Sequence, residues 1–437
     1  MKNNKLITAL FLLSSFTSFV NADVLLFTQA YELALQNANE IKSANYQVMA
    51  NSQKVEQEKS RLYPQVNLSG SYRKAKYQYS NSGIDAIDQS LFNATISLQQ
   101  SIYNPEIYSK IDMENSRIEL YKTGIKIDKE ELAQRVFEAY LNLLKSRNKI
   151  DLYKSYLQYS ESRLNELTKK YDKRLANKMD VLEMKVEYNS ANIDLTKELK
   201  LYKVYELKLN QLIGNVEYDL PDVRSDANIL ASITAMKDSI VDDGTFAKNL
   251  NIKQAQIALE LSQNTIDNSF DAHYPRLDFD TSASLFETSN PTLLDPYSDI
   301  IQARVTLNIP IYSGGMTSSR VLEAELMKKA AFEDLLKTQK DVRVEYDEQK
   351  ALFDASVESV GMYKDAFESA TLYVDAVEQG YEHGLKSVTD LNDAKNKFYE
   401  VRYKYIENIY EMVNSYIGLL IVINNFDNIV LLDRLLD

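Results

Sequence analysis

Cysteine and tryptophan are absent from this chain of 437 residues, and histidine occurs only twice. Without cysteine the chain has no disulfide, no thiolate metal ligand, no cysteine nucleophile and no cysteine to carry a lipid. His273 and His383 lack the spacing of a metal site, no glycine-rich phosphate loop follows a strand, and nothing brings a base to a nucleophile. We therefore expect no catalytic residue, no metal site and no cofactor.

Glycine and proline are also scarce, with 11 and 7 residues respectively. This scarcity favours long, uninterrupted helices over a sandwich of many turns. Beyond the N-terminus, no segment reaches the roughly 18 consecutive apolar residues of a spanning helix, so a mature chain that crosses a membrane must do so with strands. The excess of 63 acidic over 50 basic residues argues against nucleic acid as a partner.

Residues 1–22 have the features of a secretory signal peptide. Lys2 and Lys5 precede an apolar run from Leu6 to Val20, and Ala22 lies where cleavage is expected. The run is too short and wrongly flanked for the alternative, a membrane anchor. Cleavage would remove both lysines and leave a formal charge of −15.

One pattern occurs twice, at residues 170–195 and 380–405. Each copy contains a short turn between two long amphipathic segments, with apolar, acidic and aromatic positions at the same spacing. The matched residues, 210 positions apart, are Tyr171 and Tyr381, Leu175 and Leu385, Asp180 and Asp390, Glu183 and Asp393, and Lys185 and Lys395. A repeat of this size predicts a duplicated architecture.

The hydrophobic period changes from helical to strand-like at two corresponding places. A helix predicted from Val24 to Arg61 ends at Tyr63–Pro64, and a later one ends at Tyr274–Pro275. The four predicted strands that follow lie at about 65–80, 91–103, 276–287 and 300–312. Each has one apolar and one polar face. This pattern is typical of an outer-membrane strand, and also of an antiparallel sheet that exposes one face to solvent. In the first case other copies of the chain must complete the sheet, because four strands cannot close a barrel and open edges are not tolerated in lipid.

Each strand pair leads into a very long amphipathic helix. From Pro105 or Ser313 to the turn, a helix of about 65 residues would extend roughly 100 Å. A return helix follows each turn, at about 181–213 and 391–424. The predicted organisation is a signal peptide (1–22), a first repeat (23–213, turn near 171–180), a linker (214–244), a second repeat (245–424, turn near 380–390) and a C-terminal tail (425–437).

With these features in order, the chain resembles the TolC-type outer-membrane channels, the outer membrane efflux protein family. The resemblance rests on the two Tyr–Pro strand entries, the Ile–Tyr pairs at 102–103 and 311–312, the repeat, and the Gly-Tyr-x-x-Gly turn at 380–384 with its following acidic pair. It implies an α+β membrane protein in which three chains each contribute four strands to one 12-stranded β-barrel. Their helices would form a long coiled-coil barrel that extends from the outer membrane into the periplasm.

Such channels are exit ducts of tripartite efflux pumps and type I secretion systems. The resemblance therefore implies a homotrimer embedded in outer-membrane lipid, with a periplasmic adaptor (membrane fusion) protein and an inner-membrane transporter as partners. The cargo stays open between drugs, proteins and metals. The alternative is a secreted coiled-coil structural protein or adhesin without channel activity. Such a protein would account for the helices but not for the four amphipathic strands.

The same resemblance implies roles for residues of the second turn, placed at a periplasmic tip where the tunnel narrows. Asp390 and Asp393 would face the pore as two acidic rings that hold cations. Tyr381, Lys386 and Asp180 would form the gate network, around the hairpin turn made by Gly380 and Gly384. Lys386 replaces the family's usual arginine and so loses bidentate geometry, and Arg174 occupies the glycine position in the first turn.

The residues themselves leave a simpler role open for the acidic pair. Asp390 and Asp393 also lie where carboxylates favour a helix N-terminus, and Ser387 or Thr389 could cap that helix. In that case they belong to a solvated helix start rather than to a pore.

Overall fold

The computed structural model describes residues 24–77, 87–221, 235–236, 246–289 and 299–424. In chain order its elements are α1 (Phe27–Asn37), α2 (Asn39–Ser60), β1 (Gln65–Tyr77), β2 (Ile87–Tyr103), α3 (Pro105–Asp172), α4 (Lys178–Ile213), α5 (Leu250–Asp271), β3 (Arg276–Thr288), β4 (Asp299–Asn308), α6 (Met316–Glu382) and α7 (Val388–Val422). The expected signal peptide (1–22), most of the expected linker (214–244) and the expected tail (425–437) lie outside the described residues.

Two long helices dominate the molecule. Helices α3 and α6 contain 68 and 67 residues, so each extends about 100 Å. Helix α4 returns along α3 and α7 returns along α6, which gives two helical hairpins. None of the described helices is long and apolar enough to cross a membrane.

The single N-terminal helix predicted for Val24 to Arg61 is wrong, because the chain leaves the helical conformation at Ala38. The side-chain amide of Asn37 donates to the Ile213 carbonyl at the end of α4, which holds the break in place. Helix α1 can then pack separately, and it buries Phe27 against Phe137 of α3 with ring centres 5.3 Å apart.

The four strands form one antiparallel sheet in the order β1-β2-β3-β4. Its register confirms the predicted alternation, because residues of one kind line up across the sheet. An apolar row consists of Leu68, Ile96, Ala283 and Ile301, and the neighbouring polar row of Asn67, Ser97, Ser282 and Gln302. Leu68 and Ile301 are 79% and 84% exposed, so no part of the chain that the structure describes covers the outer strands of the apolar face.

The strand ends differ from the predicted ranges at two places. Strand β2 begins at Ile87 rather than near residue 91, and β4 ends at Asn308 rather than near 312. Pro310 has no N–H to donate, so the ladder cannot continue through it. Gly314 and Gly315 follow with φ of 66° and 86°, a conformation that turns the chain into α6.

The main apolar core lies where α1, α3 and α7 meet around the middle of the long helices. Its largest fully buried side chains include Phe137, Tyr140 and Tyr416. A separate small core inside the second hairpin contains Val374, Val377, Leu391 and Ala394. The hairpin tips therefore extend beyond the main core and are held by local contacts.

Candidate functional site at the hairpin tips

The turn between α6 and α7 ends the long helix with two backbone hydrogen bonds. The Leu385 amide donates to the Gly380 carbonyl at 2.7 Å, and the Gly384 amide donates to the Tyr381 carbonyl at 2.9 Å. This pair of bonds is the Schellman arrangement, which needs a left-handed residue after the helix. Gly384 fills that position with φ of 73°.

The turn between α3 and α4 repeats this geometry without glycine. The Leu175 amide donates to the Lys170 carbonyl at 2.7 Å, and the Arg174 amide donates to the Tyr171 carbonyl at 2.8 Å. Arg174 adopts φ of 57°, a conformation that L-residues with a side chain rarely take. The duplication seen in the sequence is thus a duplication of backbone structure, although the glycines are not duplicated.

Both return helices begin with a capping box. The Asp390 carboxylate accepts from the backbone amide and the hydroxyl of Ser387, each at 2.9 Å, while Ser387 Oγ accepts from the Asp390 amide at 3.0 Å. These bonds, and then the nearby charge of Lys386, hold the pKa of Asp390 below its usual value. In the first hairpin, Asn177 and Asp180 form the corresponding box. Asp390 and Asp180 therefore have a structural role in their own helices.

The expected gate residues are not joined to each other within one chain. Among the described residues, no hydrogen bond or ion pair links Asp180 to Tyr381 or to Lys386. The half-buried Tyr381 instead lies under Arg163 of α3, whose guanidinium carbon is 4.4 Å from the ring centre. The exposed Lys386 crosses Gly380, where an added Cβ would come within 2.9 Å of the lysine Cγ.

The two return helices contact each other near the tips. Asp393 is exposed, and its repeat counterpart Glu183 accepts a hydrogen bond from the Thr389 hydroxyl at 3.4 Å. This bond joins the start of α7 to α4 of the other hairpin. In the described part of the chain, no group of three or more histidine, aspartate or glutamate side chains could hold a metal ion.

Sequence reasoning missed the α3 residues that contact the second hairpin. Tyr156, Tyr159 and Arg163 follow one another at helical spacing and face α7 and the end of α6. The apolar residues of α3 that recur at intervals of three and four, such as Tyr153 and Leu157, form a neighbouring stripe. A second stripe that mixes tyrosine with arginine at intervals of three and four is the signal that could have identified this contact.

Comparisons with known proteins agree with this architecture. The outer membrane efflux protein family matches residues 30–215 and 245–425. The outer membrane protein TolC of Escherichia coli (strain K12) is 27% identical over 422 residues, which cover 91% of this chain and 82% of that protein. The alkaline protease secretion protein AprF of Pseudomonas aeruginosa is 21% identical over 323 residues, which cover 71% of this chain and 65% of that protein.

A solved structure of CusC, described as showing conformational changes that accompany folding and transmembrane channel formation, has the same fold. It superimposes with a TM-score of 0.78 at 15% identity and covers 93% of this chain and 95% of that one. The family match spans both repeats, and the fold, the sheet and the two hairpins agree with it. The chain therefore belongs to the outer membrane efflux protein family and is an exit duct of the outer membrane.

Proposed function

We propose that three copies of the chain form one continuous duct, in which twelve strands close a barrel in the outer membrane and the helices form a tunnel through the periplasm. Substrates pass through it passively, delivered by an inner-membrane transporter and a periplasmic adaptor protein. The observation that carries the proposal is the four-stranded sheet, whose outer strands β1 and β4 each pair on one side only among the described residues and whose apolar face is exposed. Lipid can cover that face, but only neighbouring copies can pair the two edges.

The helices support the same closure through their internal repeat. Helix α5 packs against both α3 and α6, whereas its repeat counterpart α2 packs mainly against α3. Asn264 of α5 donates to Ser116 Oγ of α3 at 2.7 Å. The counterparts of these two residues in the other repeat follow from the alignment of the repeats. When Tyr63–Pro64 is aligned with Tyr274–Pro275, Gln53 of α2 corresponds to Asn264. The long helices α3 and α6 are offset by 210 residues, so Leu326 of α6 corresponds to Ser116. Both Gln53 and Leu326 are exposed, so they fit a contact between α2 of one copy and α6 of the next.

A cross-linking experiment tests this contact directly, because the chain has no cysteine of its own. With Gln53→Cys and Leu326→Cys in one chain, we expect a short thiol cross-linker to give covalent dimers and trimers in outer-membrane preparations. The matched control carries Asn264→Cys and Ser116→Cys, which lie within one chain and should give only an internally linked monomer. Monomers alone from the first variant would contradict the proposed assembly.

The gate of this duct lies at the hairpin tips. Asp390 and Asp393 would form two rings of three carboxylates each, which attract cations into the narrow end. Lys386 and Asp180 do not contact each other within one chain. Helix α3 packs against α7 within one chain, so the corresponding contact between copies would place α6 of one copy beside α4 of the next. Lys386 would therefore pair with Asp180 between copies, with Tyr381 next to this contact.

The tips also offer an apolar surface for the adaptor. Leu175 and Leu385, the residues that follow the two left-handed positions, are 74% and 80% exposed. Exposed leucines at the far end of a helical bundle suit a protein partner rather than water. A secreted rod or adhesin, the alternative function, would leave the apolar sheet face uncovered, so we favour the duct.

A further inference from the structure

Tyr156 of α3 lies where the two hairpins of one chain meet. Its hydroxyl donates to the Glu187 carboxylate of α4 at 2.8 Å, and the same hydroxyl contacts the side-chain amide of Asn396 in α7. Its ring packs against Tyr399 of α7, with ring centres 4.7 Å apart. One side chain thus connects α3 and α4 of the first hairpin with α7 of the second.

The hydroxyl has one proton and two lone pairs, which decides how these contacts are shared. The structure places Asn396 Oδ1 beside the hydroxyl, but one proton cannot serve two acceptors. The proton therefore goes to the charged Glu187, and the Asn396 amide is turned so that its nitrogen donates to the hydroxyl oxygen. Burial, followed by the bond to Glu187, raises the pKa of the Tyr156 hydroxyl, so the group stays protonated and remains a donor. A hydrogen bond to a charged group contributes more than a neutral one.

Polar contacts continue from Tyr156 towards the tips. Lys395 of α7 pairs with Glu378 of α6 at 2.9 Å and lies 5.1 Å from the centre of the Tyr159 ring. Arg163, one turn further along α3, covers Tyr381 at the end of α6. The contacts of Lys395 with Tyr159 and of Arg163 with Tyr381 therefore join the two hairpins, whereas the Lys395–Glu378 ion pair lies within the second hairpin, next to its small apolar core.

The internal repeat shows that this contact is not duplicated. At an offset of 210, the counterpart of Tyr156 is Ala366 and the counterpart of Asn396 is Val186, which is 67% exposed. In the proposed trimer these two residues would face each other between copies. The contact between hairpins of one chain is thus hydrogen-bonded, while the corresponding contact between copies has no tyrosine hydroxyl.

We infer that Tyr156 is a positioning residue of the gate: the bond to Glu187 within the first hairpin fixes the hydroxyl, and the contact of that hydroxyl with Asn396 holds the second hairpin against the first and breaks when the tips separate. The inference rests on the proposed function. Asn396 lies nine residues after the Ser387 cap, about 13 Å along α7. A contact at this distance from the tip limits how far the start of α7, which carries Asp390, can move away from α3.

Replacing Tyr156 by phenylalanine removes the hydroxyl and keeps the ring that packs against Tyr399. In planar lipid bilayers, we expect Y156F channels to have an open probability about fivefold higher than the wild type, the factor expected for the loss of one hydrogen bond between neutral groups, here the bond to Asn396. Y121F on the same helix is the control, because the exposed Tyr121 hydroxyl forms no hydrogen bond with any described residue. E187Q keeps an acceptor for the hydroxyl and should change the open probability much less than Y156F.

Y156F with the open probability of the wild type would overturn the inference. If that variant also lowers the temperature at which the trimer dissociates, the hydroxyl only stabilises the fold. Wild-type protein that never conducts would contradict the proposed function itself, so the two failures are distinguishable.

Discussion

At the scale of single residues, the two tips show how different side chains can occupy the same backbone position. Gly384 and Arg174 both adopt a left-handed conformation after a long helix. Glycine takes this conformation at little cost, whereas a residue with a Cβ is strained by about 1 kcal/mol. The first turn is therefore the more strained of the two, although the hydrogen bonds of the two turns agree closely.

This difference predicts opposite effects of two substitutions. Gly384→Ala should destabilise the second turn by about 1 kcal/mol, because alanine must adopt the left-handed conformation. Arg174→Gly should stabilise the first turn by less than that, because glycine also increases the entropy of the unfolded chain. Amide hydrogen exchange at Leu385 and Leu175 measures each turn separately. Equal changes in the two variants would contradict this account of strain.

Residue roles were only partly predictable from the sequence. The spacing of Ser387 and Asp390 indicated a helix cap, and the structure contains that cap. The cap does not exclude a role for Asp390 in the pore, because one carboxylate can both cap a helix and face a channel. The position of Arg163 over Tyr381 could not be predicted, because it depends on how two hairpins from distant parts of the chain lie beside each other.

At the scale of elements, the return helices end in the same way in both halves. Helix α4 ends against the amide of Asn37, and α7 ends against that of Asn249, which donates to the Val422 carbonyl at 2.9 Å. Asn249 also caps α5, since its oxygen accepts from the Asn251 and Ile252 amides at 3.0 and 3.1 Å. A single buried side chain thus satisfies two helix ends.

Asn249→Ala should cost about 2 kcal/mol, because it removes the cap of α5 and leaves the buried Val422 carbonyl without its donor. Asn249→Ser keeps an oxygen for the cap but lacks the amide N–H that reaches the Val422 carbonyl, and should recover about half of that loss. Hydrogen exchange in the first turn of α5 and after the last turn of α7 measures the effect. Unchanged exchange at both places would show that the junction does not depend on this side chain.

Element type was more predictable than element boundaries. The alternation of apolar and polar residues in the four strands predicted which side chains share the apolar face. The register of the sheet follows this pattern, for example where Leu68 pairs with Ile96. The break at Ala38 had no sequence signal, because neither glycine nor proline marks it and the contact of Asn37 with Ile213 is distant in sequence. Pro310 did mark the end of β4, but the apolar residues on both sides of it extended the predicted strand.

At the scale of the whole molecule, the two halves share a fold but not their surface chemistry. The tyrosine contacts of α3 connect the hairpins within a chain, and in the proposed trimer the open faces of α2 and α6 would contact neighbouring copies. Sequence repetition predicted the shared fold, because duplicated spacing requires duplicated elements. It could not predict which contacts lie within a chain, since these depend on the residues at which the halves differ.

In the proposed duct, the gate lies at a narrow end that carries Asp390 and Asp393. The most direct test is conductance of the purified trimer in planar lipid bilayers, with a trivalent cation added on the side of the helical tips. We expect the cation to block conductance in the wild type and in Ser387→Ala, which loses the hydroxyl of the cap but no charge. We expect no block when Asp390→Ala and Asp393→Ala are combined. A protein that does not conduct, or equal block in all three proteins, would contradict this proposal.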